Sequence, residues 1–129
     1  MSLYSTAEAE VVISEDTAQK DIRWKDTDDA NNKVVRTDLD VMNAGVMKVA
    51  ASAAKAQISF GDVVTAKIVK VTSDLAVTLY VNNSSDGILL TPLGTYKAIF
   101  LLHGACTKIE VAGGAADATV RYLFVGDIV

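Results

Sequence analysis

The chain has 129 residues, enough for one domain with its own core and too few for two ordinary ones. Half of it is hydrophobic and 22% is charged, a globular composition, and a net charge of −4 with scattered bases argues against binding nucleic acid through a phosphate-neutralising stripe. No stretch is long and apolar enough to span a bilayer and the first residues lack a basic-then-apolar leader, so the expectation is a soluble protein made in a cytoplasm, without a membrane partner.

The acidity is concentrated at the N-terminal end. Residues 1–40 hold ten acids against five bases, whereas the rest of the chain holds six against seven. Val11 to Ser14 and Lys33 to Thr37 read as short strands. Between them lies a stretch rich in Asp, Thr, Asn and Lys, with Ile22 and Trp24 as isolated apolar anchors. We read residues 1–40 as an extended acidic arm and 41–129 as the β-domain that carries it, one domain overall. Within the arm, Asp26-Thr27-Asp28-Asp29-Ala30-Asn31 opens like a calcium loop. Its sixth position is Asn31 where glycine is needed and its twelfth is Thr37 where a bidentate Glu is needed. An acidic turn is the better reading, with a weak irregular site at Asp26, Asp28 and Asp29 left open.

Ala44 to Gln57 fits either one helix by composition or two poor strands by its alternation of Val and Lys, and the sequence does not choose. From Phe60 onward the pattern is regular. Val64, Ala66 and Ile68 form one row of a strand over Val63 to Val71, and Leu75, Val77, Leu79 and Val81 form the row of the next. Thr72-Ser73-Asp74 is expected to join them as a hairpin loop. Asn82 to Gly87 supplies the following turn, with Asp86-Gly87 able to reach positive φ. A strand over Ile88 to Thr91 is separated by Pro92-Leu93-Gly94 from another over Thr95 to Leu102, in which Tyr96, Ala98, Phe100 and Leu102 share a face. Thr107 to Val111 turns Ile109 and Val111 inward. Gly113-Gly114 breaks the chain before Ala118 to Val125, where Val120, Tyr122 and Phe124 form the inner row. The fold class is therefore all-β, an antiparallel β-sandwich or jelly-roll-like barrel with an extended acidic N-terminal arm.

Two of these strands are apolar on both sides. Ile99 and Leu101 oppose the row of Phe100, and Leu123 and Val125 oppose the row of Phe124. A strand in a one-domain antiparallel sandwich normally shows one face to water, so the second apolar face asks for cover from the arm or from a neighbouring subunit. Only 6% of residues are aromatic, so Val, Ile, Leu and Ala must fill the core, and association would help it.

No catalytic constellation emerges. His103 and Cys106 are three apart at a strand end, without an evident orienting group or oxyanion site. A single His and a single Cys are also a poor donor set for zinc. Cys106 cannot form an internal disulfide and reads as a small buried hydrophobe. There is no phosphate-cradling loop, dinucleotide fingerprint or nucleophile elbow. We expect no catalytic residue, no cofactor and no resident metal. A sugar-binding module stays open as an alternative if Trp24, Tyr80 or Tyr96 is exposed on a concave face, although Tyr96 and Tyr122 read as members of apolar rows.

In its Ala/Gly/Thr-rich β-segment from Phe60 to Asp127, including Gly113-Gly114-Ala115-Ala116-Asp117-Ala118-Thr119-Val120-Arg121-Tyr122-Leu123-Phe124-Val125-Gly126-Asp127, and in the arm before it, the chain resembles the small virion proteins of tailed bacteriophages. The likeness covers roughly the last half of the chain and is closest to the head decoration or cement proteins. A tail or fibre-associated subunit has the same texture. The resemblance implies a non-enzymatic protein on the virion surface, a homo-oligomer, often a trimer, that binds the major capsid protein and staples the capsid lattice. Ile22, Trp24, Val34, Val35 and Leu39 would then anchor the arm to neighbours. Ile99, Leu101, Leu123 and Val125 would form a subunit contact or pack beneath the arm.

Overall fold

A computed structural model describes residues 3–8, 10–13, 22–25 and 33–128, with side chains from Leu39 onward. Within those residues there is no helix. The arm contributes four short strands, β1 (Leu3–Glu8), β2 (Glu10–Ile13), β3 (Ile22–Lys25) and β4 (Lys33–Leu39). They pair as two antiparallel ribbons, β1 with β4 and β2 with β3. The domain follows with β5 (Val41–Val49), β6 (Ala56–Gln57), β7 (Thr65–Ser73), β8 (Val77–Val81), β9 (Ile88–Leu90), β10 (Ala98–Cys106), β11 (Ile109–Gly113) and β12 (Ala118–Asp127).

These eight strands form two four-stranded antiparallel sheets, ordered β10-β7-β12-β5 and β6-β11-β8-β9. The pairings β5·β12, β6·β11, β7·β10 and β8·β9 are those of one long hairpin folded at the β8–β9 turn. Wrapping that double ribbon around a core brings β7 against β12 and β8 against β11, which completes both sheets. This is the jelly-roll wind. It explains why strands adjacent in the chain rarely pair: the chain alternates between layers.

The alternation overturns one expectation. Thr72-Ser73-Asp74 is not a hairpin loop, because β7 and β8 belong to different sheets and the segment is a corner between them. Local polar contacts explain why it bends there. The Ser73 hydroxyl, buried, donates to the Leu75 carbonyl at 2.6 Å, and the Asp74 carboxylate accepts the Thr119 N–H at 2.7 Å. Leu75, expected in the apolar row of β8, lies on this corner and is exposed.

The ambiguous segment from Ala44 to Gln57 resolves as two strands, the greater part of β5 and the short β6, and not as a helix. Along β5, Val41, Asn43, Gly45, Met47 and Val49 turn inward while Met42, Ala44, Val46 and Lys48 turn outward. A continuous ladder to β12, from Val41 against Gly126 to Val49 against Ala118, holds them there. Tertiary pairing thus overrides the helical composition. The run of alanines that suggested a helix lies largely beyond the strand, where Asp117 accepts the Ala51 N–H and Ser52 adopts a φ of 60°.

Period two also fails once along β7. Ala66, Val69 and Val71 all reach the core, which a strict alternation forbids, and a register shift against Val125/Gly126 absorbs the extra residue. Gly126 permits the bulge: a Cβ there would collide with the Thr65 carbonyl. Ile68 is thereby turned outward instead of sharing the core row with Ala66, and Val64, outside the strand, is exposed.

The core is dominated by Val, Leu, Ile and Ala, with Phe124 at its centre between Phe60 and Tyr122, ring centroids 4.3 Å and 5.3 Å away. In the β8–β9 turn the residues at positive φ are Asn82 and Asn83, not the expected Asp86-Gly87. Asn82 is held because its carboxamide accepts the Thr107 N–H at 2.8 Å and donates to the Ala105 carbonyl at 3.1 Å, tying the hairpin tip to the β10–β11 corner.

Candidate interaction surface

Each sheet turns one face inward, and the two outward faces differ. Behind the β6-β11-β8-β9 sheet, the cross-strand rows are Thr78 with Ala112 and Leu89, and Tyr80 with Glu110 and Gln57. Lys55 places its ammonium 4.7 Å from the Tyr80 ring centroid, and Lys108 lies 3.7 Å from the Glu110 carboxylate. Apart from Leu89 and Ala112, this is a polar surface with one ion pair and one cation–π contact.

Behind the β10-β7-β12-β5 sheet, the register gives three rows across all four strands. They are His103·Ile68·Val125·Met42, then Leu101·Lys70·Leu123·Ala44, then Ile99·Thr72·Arg121·Val46. Residues in one row share a face with their Cβ atoms ~5 Å apart, so apolar members of adjacent rows merge into one surface. Ile99 (64% exposed) and Leu101 (56%) line the β10 edge; Met42 and Val46 line the β5 edge and are also open to water. Between them run Leu123, half-buried, and the aliphatic stems of Lys70 and Arg121. The three rows contain no Asp or Glu. No carboxylate among the described residues forms an ion pair with Lys70 or Arg121.

One end of this face is already covered. Leu39, the last residue of β4, is buried to 1% against Ile68 and Val125, with Leu123 packed alongside, and the Asp40 N–H donates to the Gly126 carbonyl at 2.9 Å. This small second core sits on the outer side of the sheet, where the chain passes from arm to domain. Val125 and Leu39 are therefore buried together, while Ile99 and Leu101 stay exposed. Ile22 and Trp24 lie on β3, and Val34 and Val35 on β4, where they pair with Ala7 and Thr6 of β1; their side chains are outside the described residues. The acidic turn with Asp26, Asp28 and Asp29 is also outside them.

A second exposed apolar feature was missed in the sequence. Tyr96 does not sit in the β10 row, because β10 begins only at Ala98. It closes a turn in which its N–H donates to the Leu93 carbonyl at 3.1 Å and Gly94 takes a φ of +62°, a conformation that would strain a side chain. Leu93 (80%) and Tyr96 (76%) project from that turn into water. The signal was present in Pro92-Leu93-Gly94: a turn that fixes its own backbone leaves its flanking apolar residues no strand to join.

His103 and Cys106 do not meet as a pair. The ladder places His103 on the outward face opposite Ile68 and Cys106 on the inward face opposite Ala66, across a register shift. Cys106 is fully enclosed. Burial pushes its thiol above the usual range, opposed by its hydrogen bond to the Lys108 carbonyl at 3.5 Å, so it stays protonated at neutral pH. Among the described residues, no group of three or more His, Cys, Asp or Glu side chains converges to hold a metal ion, and no helix is long and apolar enough to cross a membrane. Comparison with protein-family models, with curated proteins and with solved structures finds no match to this chain.

Proposed function

We propose that the protein is a virion structural subunit of the head decoration type, which binds the outside of a capsid lattice as a homo-oligomer, a trimer being the expected form, and stabilises it. Jelly rolls serve as capsid proteins and as lectins alike, so the architecture does not choose the role. The observation that supports it is the one-sided surface: Ile99, Leu101, Met42 and Val46 open to water on one sheet, against a mainly polar face on the other. Surfaces of this kind mark association between proteins. The rigid turn bearing Leu93 and Tyr96 offers a separate contact for the major capsid protein. Stabilisation then follows from mass action, because a subunit that binds only the assembled lattice favours that lattice.

The test is to isolate particles carrying this chain and measure its copy number and their thermal stability with and without it. A copy number that follows the capsid lattice, with particles that open at lower temperature when stripped, supports the reading. A chain absent from particles, or confined to a few copies at a tail, overturns it. The exposed Tyr96 favours a second reading as a sugar-binding module, since stacking needs an accessible ring. A glycan array that shows binding by the isolated protein, lost in Tyr96→Ala, would select that reading.

A further inference from the structure

The outward face of the β10-β7-β12-β5 sheet lacks a cover over two of its three rows, and the chain carries a segment whose chemistry complements it. We propose that residues 1–38 of a second copy lie across this face, so that neighbouring subunits are joined by exchanged arms. The inference goes beyond the virion reading, because it concerns how copies hold one another and can be tested with no particle present.

Three observations carry it. The face is basic as well as apolar: Lys48, Lys70 and Arg121 stand among its hydrophobic residues and its three full rows contain no acid. The segment is its opposite, with nine acids against five bases in residues 1–38, punctuated by Ile22, Trp24, Val34 and Val35. Attraction between the two would set the approach, and burial of the apolar residues would supply the affinity. The third observation is continuity. Leu39 already covers Ile68 and Val125 at one end of the face, which shows that an apolar residue of the arm packs on this surface. Leu39 occupies the end row, and Ile99, Leu101, Met42 and Val46 of the same molecule are exposed. These open rows are the place where the arm of another copy would lie. Because each copy both gives an arm and receives one, the arrangement can close as a ring.

The full-length protein supplies the test. Its only thiol, Cys106, is fully enclosed, so introduced cysteines react alone in the folded chain. Leu101→Cys and Val35→Cys would be made in separate, mass-distinguishable full-length chains, mixed, and treated with a short bis-maleimide. A covalent pair containing one chain of each kind is the expected result. In parallel, native mass spectrometry of the unmodified protein is expected to show a closed oligomer, and Lys70→Glu with Arg121→Glu to weaken its association by about tenfold or more, ~1.4 kcal/mol. Both positions are exposed, so unchanged circular dichroism and thermal midpoint would establish that the variant still folds. Cross-linking only within a single chain carrying both cysteines would overturn the proposal by assigning the cover to its own arm. A monomer at every concentration would also overturn it, as would an oligomer indifferent to the charge reversals.

Discussion

The two sheets of this jelly roll are alike on the inside and different on the outside. Both contribute to one core, Val71, Val120 and Phe124 from one sheet and Val77, Leu79, Ile109 and Val111 from the other, and each has four antiparallel strands. Yet one outer face carries a Lys55–Tyr80 cation–π contact and a Lys108–Glu110 ion pair, whereas on the other Lys70 and Arg121, among exposed aliphatic residues, form no ion pair with a carboxylate of the described residues. Folding explains the inner faces, since any sandwich must fill its centre. It does not explain the exposed aliphatic residues of one outer face, and that difference is what the proposed association rests on.

The comparison can be probed from its shared part outward. Phe124→Ala removes the ring common to both layers, packed between Phe60 and Tyr122, and should lower unfolding stability by ~3–5 kcal/mol in urea titration. Leu39→Ala tests whether the outer face of the first sheet holds a core of its own. A loss of ~2–4 kcal/mol is expected because the residue is buried against Ile68 and Val125, whereas Leu89→Ala, exposed on the other outer face, should change stability by no more than ~0.5 kcal/mol. Equal effects of those two changes would erase the distinction drawn between the faces.

Asn82→Ala should cost ~1–2 kcal/mol, since it removes the bonds to Thr107 and Ala105 and places a Cβ-bearing residue with no compensating side chain at positive φ. Replacing Ile99 and Leu101 together by Thr should shift monomer stability by less than ~1 kcal/mol while abolishing association measured by light scattering, a split expected only of residues that serve an interface. The smallest effect is electrostatic. Below the ordinary thiol range Cys106 is protonated in both folded and unfolded chains and leaves stability unchanged. As pH rises through that range the unfolded chain ionises first, so stability should decline up to the raised pKa of the folded state, and Cys106→Ala should flatten that decline.

By itself the sequence determined the class of fold, the approximate places of the later strands, with β10 displaced from Thr95–Leu102 to Ala98–Cys106, and most of the residues that seek burial, because a period of two records which side of a strand avoids water. Ile109 and Val111, or Val120, Tyr122 and Phe124, could be assigned inward from spacing alone, and the unusual second row at Ile99, Leu101, Leu123 and Val125 was equally legible. Only the tertiary structure decided which strand lies beside which. Thr72-Ser73-Asp74 carries the polar residues of a hairpin loop, yet the chain turns there into the other sheet, because pairing in a jelly roll is set by partners far along the chain. The same distant pairing shifted the register at Gly126 and so moved Ile68 to the outside. It also separated the fates of the second row: Val125 lies under Leu39, while Ile99 and Leu101 remain open. Local pattern states a side chain's preference for burial; long-range register determines what is available to bury it.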